Sequence, residues 1–285
     1  MVAYKDEDDC VVWQGLSGAI GGLNSVLSAD EKLHLNYTNF AKMLVLPLYK
    51  KIGWEANPDD GHLTSILRGL MVGLLCEFCS DDEDVMKQAK TKCEAFFEDP
   101  TNSKILPGDI KGPVFKIYLK NGGKNEYETV KAYYYKAKDS AEKKTVLGSL
   151  GSTSDERLKL ETLDWTTSGE VKLQDFFYAI GSVSGSGKQG REIAWTYFQA
   201  NHERLQAMIA NASPSLMDAV IMFSAGRFAT LEKAEEITNF FKEHPYPKNE
   251  RKIAQLIESM NAAGKMLVIL QESELSKPQF WDTYL

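Results

Sequence analysis

The chain has 285 residues, 43% hydrophobic and 26% charged, with a mean hydropathy of −0.32. That is enough for one large domain or two small ones around a substantial core. A net charge of −7 and a pI of about 5.3 argue against a general nucleic-acid binder, which carries a basic stripe. Cys10, Cys76, Cys79 and Cys93 are too few for a disulfide framework at this length and read as free thiols in a reducing, cytoplasmic setting.

The opening "MVAYKDEDDC" is acidic where a secretory signal needs a basic start and an apolar run, and its acids read as a frayed terminus. The longest apolar runs, around Met43–Tyr49 and Gly69–Cys76, fall short of the roughly 20 residues of a spanning helix, so no membrane span is expected. Helical spacing begins with Val12, Leu16, Ala19, Ile20, Leu23 and Leu27. Beyond a break at Asn57-Pro58 it returns at Leu63, Ile66, Leu67, Leu70, Met71, Leu74, Leu75 and Phe78. Ser80-Asp-Asp-Glu83 has the form of a capping box that starts the next helix. Asp99-Pro100 and Pro107-Gly108 break the pattern, and a soft boundary is placed near 100–112 within a single domain over 1–285. Val114–Leu119 is the best strand candidate, although its apolar density also suits a buried helix.

Asn121-Gly-Gly123 is a further break, and Leu173–Ile180 reads as helix. Ile193, Ala194, Tyr197, Phe198, Leu205, Met208 and Ile209 lie on one helical face. Ser213-Pro214, Thr230 and Asn249 are helix starts, and His244-Pro-Tyr-Pro247 is a stop. The last face is Ile253, Leu256, Ile257, Met260 and Leu267. The expected fold is all-α, with roughly a dozen or more helices joined by short loops. Degenerate antiparallel helix pairs, as in HEAT-like α-α superhelices, would look like this.

Four motifs invite chemistry. Gly185-Ser-Gly187-Lys-Gln-Gly190 matches the dinucleotide pattern G-x-G-x-x-G, but helix precedes it where a strand is required. As a Walker loop it places Ser182 at the first glycine and Gln189 at the magnesium-binding hydroxyl, so a flexible joint between helices is the better reading. His202-Glu203-Arg204-Leu205-Gln206 is one imidazole short of H-E-x-x-H and reads as a solvated face. Cys76-Glu-Phe-Cys79 has no second pair and reads as buried thiols. Asp6–Asp9 and Asp81–Asp84 lack the spacing of a calcium loop, and Tyr133-Tyr-Tyr135 and Phe96-Phe97 read as core aromatics. No catalytic residue and no metal ligand set emerges.

Three longer stretches carry a resemblance. They are "GWEANPDDGHLTSILRGLMVGLLC" (Gly53–Cys76), "VKLQDFFYAIGSVSGSGKQGREIAWTYFQANHERL" (Val171–Leu205) and "RFATLEKAEEITNFFKEHP" (Arg227–Pro245). In order and spacing, over nearly the whole chain, they resemble the C-terminal helical domain of the puromycin-sensitive aminopeptidase family of gluzincin zinc aminopeptidases. The resemblance implies a HEAT-like bowl that encloses the peptide over a separate catalytic domain and gates access to it. That domain would hold the zinc through H-E-x-x-H, a downstream Glu and a G-A-M-E-N segment, none of which occurs in this chain. In some relatives a basic residue near the position of Gly151 holds the peptide's C-terminus, a contact Gly151 cannot make.

The resemblance therefore implies a cytoplasmic, non-catalytic, peptide-binding partner of an aminopeptidase catalytic domain, with no cofactor of its own and no membrane or nucleic-acid partner. Lys188, Arg191 and Arg68 are the expected peptide contacts. A stand-alone helical scaffold for a protein partner is the alternative, and an exposed apolar patch would favour it.

Overall fold

The computed structural model describes residues 2–55, 57 and 59–282. Pro58, half of one expected break, lies outside the described residues. Among them there is no strand, and 14 α-helices and two short 3-10 helices carry the fold. In chain order the first seven are α1 (Cys10–Leu27), α2 (Glu31–Ile52), α3 (His62–Phe78), α4 (Glu83–Glu98), α5 (Gly108–Asn121), α6 (Lys124–Lys136) and α7 (Ser140–Leu150). The rest are α8 (Glu156–Thr166), α9 (Phe177–Ser184), α10 (Lys188–Met208), α11 (Pro214–Ala225), α12 (Leu231–Glu243), α13 (Glu250–Glu272) and α14 (Pro278–Asp282).

The helices form two compact units, Met1–Asn121 with Leu270–Leu285, and Gly122–Ile269. The division falls at the Asn121-Gly-Gly123 break, while 100–112 covers most of the joint between α4 and α5 and the start of α5, inside the first unit. In that unit α1, α2 and α3 touch one another, and α5 packs on α3 and α4. Tyr37 of α2 anchors the cluster. Its ring meets Phe40, Phe78 and Trp281, and its hydroxyl donates to the Ile20 carbonyl at 2.9 Å.

In the second unit α7, α9 and α11 stack in one row, and α8 and α10 in another. Neighbours in sequence join the rows, so most contacts are local, as in stacked helix pairs. Trp195 of α10 ties in α12. Its ring meets Phe240 at 5.1 Å, and its Nε1 donates to Glu236 at 2.6 Å.

Aspartates start many of these helices. Asp9, Asp30, Asp82, Asp139 and Asp155 each accept backbone N–H bonds as N-caps, a contribution of about 1 kcal/mol apiece. Asp9 corrects the reading of the first acids as a frayed end. Glu7 accepts from two backbone N–H groups there, and Asp8 pairs with Lys51. At α4 the cap is Asp82 rather than Ser80. The carboxylate takes the N–H groups of Asp84 and Val85, while the Ser80 hydroxyl accepts from Lys120 at 2.6 Å. Ser213 and Thr230 cap α11 and α12 as the sequence predicts.

One open alternative is decided and two further expectations are corrected. Val114–Leu119 lies within α5, buried along most of its length, which explains its unbroken apolar run. The helix expected from Leu173 starts at Phe177, because 172–176 form turns around the buried Asp175, whose carboxylate pairs with the partly exposed Lys144 at 3.7 Å. Two helices, α1 and α13, are long and apolar enough by length and composition to cross a membrane. Counting only unbroken apolar runs missed them, because glycine, serine and asparagine interrupt the runs in α1 without adding charge. α1 buries Cys10, Trp13, Ile20 and Leu27, a narrower stripe than the face expected from Val12, Leu16 and Ala19.

Two glycines should respond oppositely to substitution. A Cβ on Gly190 would lie 2.1 Å from the Val183 carbonyl oxygen, whereas Gly15, exposed on α1, has open space around it. Gly190→Ala should lower stability in urea denaturation by about 1–3 kcal/mol, and Gly15→Ala should raise it by about 0.5–1 kcal/mol.

Candidate functional site

The joint between α9 and α10 holds two of the expected peptide contacts. Gly187 adopts φ 113°, in the left-handed region that favours glycine, and starts α10 without a side-chain cap. The Val183 carbonyl accepts from the Ser186 hydroxyl at 2.7 Å and from its N–H at 3.1 Å. On the other side of α9, the Gly151 N–H donates to the Ser182 hydroxyl at 2.9 Å, and a Cβ there would lie 2.2 Å from the Val183 nitrogen. The glycines let three helices meet at backbone distance, and no strand leads into the loop. The loop does not have the architecture of a phosphate cradle.

Lys188 and Arg191 share the first turn of α10. Lys188 is exposed, whereas Arg191 is 9% exposed. Burial, and then the like charge of Arg227, holds the Arg191 guanidinium below its ordinary value. Arg227, just after α11, reaches the same corner, its guanidinium carbon 3.6 Å from the Cβ position of Gly185. Three cations at the positive end of α10 can attract carboxylates. Arg227 was missed in the sequence because it lies beyond a separate helix, with no local pattern to link it.

Arg68, in the other unit, is 5% exposed and engaged. It pairs with Asp60 at 2.7 Å and donates to the carbonyls of Gly53 and Ile52 at 3.3 and 3.4 Å. A peptide carboxylate would have to displace these bonds, so the geometry here is that of a tie between α3 and the end of α2.

A groove of about 590 Å³ lies on the second unit, lined by Lys131, Arg157, Leu160, Glu161, Trp165 and Glu170 among others. Lys131 bonds Glu161 at 2.6 Å and lies 5.3 Å from the Trp165 ring centre. The Trp165 Nε1 donates to the Tyr135 hydroxyl at 2.8 Å, and that hydroxyl donates to Glu170 at 2.6 Å. Tyr135 is 55% exposed, so the reading of Tyr133-Tyr-Tyr135 as core holds only for the first two. The groove joins α6 to α8 and the turn after it, a juxtaposition without a sequence signature.

Among the described residues no group of three or more His, Cys, Asp and Glu gathers as a metal site. Burial pushes the Cys79 thiol up to about 12 and raises that of Cys76, the opposite of a redox-active thiolate. His202 lies on α10 with Gln206 exposed one turn later, and its ring is 4.4 Å from that of His244.

The model of the ERAP1-like C-terminal domain matches residues 1–262. The chain belongs to the ERAP1-like C-terminal domain family. The aminopeptidase M1 of Arabidopsis thaliana is 32% identical over 91% of this chain and 29% of its own length. The aminopeptidase M1-B of Oryza sativa subsp. japonica is 26% identical over 99% of this chain and 31% of its own. The alanine/arginine aminopeptidase of Saccharomyces cerevisiae is 25% identical over 92% and 30% respectively. This ERAP1-like domain thus spans about three-tenths of the length of the curated aminopeptidases it matches. The resemblance read from the three long stretches is to the same kind of domain.

The Arg68 tie carries a pH signature. The Asn57 N–H and then Arg68 hold the Asp60 carboxyl below its usual range, against an opposing effect of burial. A carboxyl held low in the fold contributes stability above its unfolded value of about 4 and loses it as pH falls through the folded value. Arg68→Met should lower the thermal midpoint at pH 7 by several degrees and flatten its fall below about pH 4, both read by circular dichroism.

Proposed function

We propose that the chain is the C-terminal helical domain of a cytoplasmic zinc aminopeptidase that removes N-terminal residues from peptides. The zinc chemistry belongs to a catalytic portion outside these 285 residues. The family match over residues 1–262 carries this reading, together with relatives that are aminopeptidases matched over about three-tenths of their length. The role proposed for the domain is to pack HEAT-like helix pairs against the catalytic portion, enclose the peptide and close the cleft. Helical walls can exclude water and oversized substrates without supplying a reacting group. Met266, Val268 and Ile269, exposed at 41, 42 and 62% along α13, are apolar side chains that a catalytic portion would cover, and they equally suit the partner of a free-standing scaffold.

Peptide contact is assigned to Lys188 at the cationic corner, with Arg191 and Arg227 behind it adding positive potential. Arg68 is assigned a supporting role, since its charge is already engaged. Long-range attraction of a peptide carboxylate to exposed Lys188 is modest, on the order of 1 kcal/mol.

The chain alone should release no chromophore from aminoacyl p-nitroanilides, with or without added zinc. Chelator-sensitive release would overturn the division of labour. Mixed with the remaining portion of the Arabidopsis relative, the chain should co-elute with it and support peptide hydrolysis. In that mixture Lys188→Glu should raise KM for peptides by about fivefold with kcat unchanged, an effect of roughly 1 kcal/mol. A chain that neither associates nor alters hydrolysis would point instead to a free-standing scaffold.

A further inference from the structure

The near-match to H-E-x-x-H at His202 lacks its second imidazole within the helix. The fold brings one from elsewhere. His244, the residue that ends α12, places its ring 4.4 Å from that of His202 on α10, with the planes tilted by 53°. We infer that His202 and His244 form a two-imidazole site for a divalent transition metal of the Zn²⁺ or Ni²⁺ type.

Four observations converge on this pair. The first is spacing. Imidazoles bonded to one ion at roughly 2.0–2.1 Å have ring centres about 4.5–5 Å apart, so the observed separation needs only a small rotation of the rings. The second is rigidity. His202 lies inside a helix of 21 residues, and the His244 N–H donates to the Phe240 carbonyl at 2.8 Å, with Pro245 fixing the chain after it. The Phe240 ring lies against both imidazoles, at 5.3 and 4.6 Å, and limits where they can turn.

The third is the orientation of one ligand. The buried Tyr246 hydroxyl lies 3.4 Å from His202 Nδ1. A hydroxyl there can accept from Nδ1–H, which leaves Nε2 to bind the ion, the usual way a neighbouring oxygen fixes a ligating histidine. The fourth is access and charge. Both imidazoles are half-buried, so an ion can reach them from solvent, and the exposed carboxylate of Glu203 adds negative charge beside His202. Two imidazoles leave the other coordination positions to water. That shell suits a reversible clasp between α10 and α12 rather than a closed structural site.

The test uses the untagged full chain and metal salts alone. Zn²⁺ and Ni²⁺ titrations by calorimetry should show one equivalent bound, reversed by EDTA, and saturating metal should raise the thermal midpoint. His202→Gln and His244→Gln should each weaken binding at least tenfold and abolish the midpoint shift, while keeping the wild-type helical circular dichroism spectrum. His62→Gln, in the other unit, should bind as wild type. With Cu²⁺ as probe, electron paramagnetic resonance should show coupling to two nitrogens, reduced to one in either variant. No saturable binding below millimolar metal, or equal affinity in the wild type and both variants, would overturn the proposal.

Discussion

The second unit depends on how closely three helices approach at α9. Backbone meets backbone on both of its sides, at Gly151 from α7 and at Gly190 from α10. Neither position has room for one more carbon, so the stacking of α7, α9 and α10 is set by what is missing from the side chains. Interiors packed to crystal density tolerate no such intrusion without backbone shifts. The orientation of α10 follows from this contact, and with it the places of Lys188, Arg191, Trp195 and His202. The cationic corner and the histidine pair are thus two regions of one helix whose pose is fixed at its first turn.

Charge in this chain does local work before it does any long-range work. The net charge of −7 suggests an acidic surface, yet five of its aspartates cap helices. A capping carboxylate is spent on the N–H groups beneath it and on the helix dipole, so it projects less field outward. Cations are similarly committed. Lys131 is held between Glu161 and the Trp165 face, and Lys233 lies between Glu192 and Glu236. Formal charge therefore misjudges the potential a peptide would meet.

Periodicity and breakers made most of the fold legible. The helix starts at Ser213 and Thr230, and the breaks at Asp99-Pro100 and His244-Pro-Tyr-Pro247, follow from backbone chemistry within a few residues. Boundaries failed where tertiary demands took over, as at Leu173, where burial of Asp175 delays the helix, and at Ser80, where Lys120 takes the hydroxyl. The sites were much less legible. Arg227 joins Arg191, Tyr135 joins Trp165 and His244 joins His202 across separate helices, and no local spacing encodes those meetings. The resemblance to aminopeptidase C-terminal domains came from long stretches that include the glycine joint, where the sequence is most constrained by packing.

The first unit is closed by α14, more than 200 residues beyond α2. Trp281 lies against Tyr37 and Phe40 at 6.2 and 5.6 Å, and Leu270–Leu285 belongs with Met1–Asn121. During synthesis the second unit, built from neighbours in sequence, can assemble as it emerges. The first must wait, its α2 aromatics Tyr37 and Phe40 without Trp281, until α14 has been made. Contacts that span so much sequence are slow to form and leave apolar surface open in the interval. A ribosome that stalls within α13 would therefore leave the first unit, although made before the second, as the one unable to finish folding.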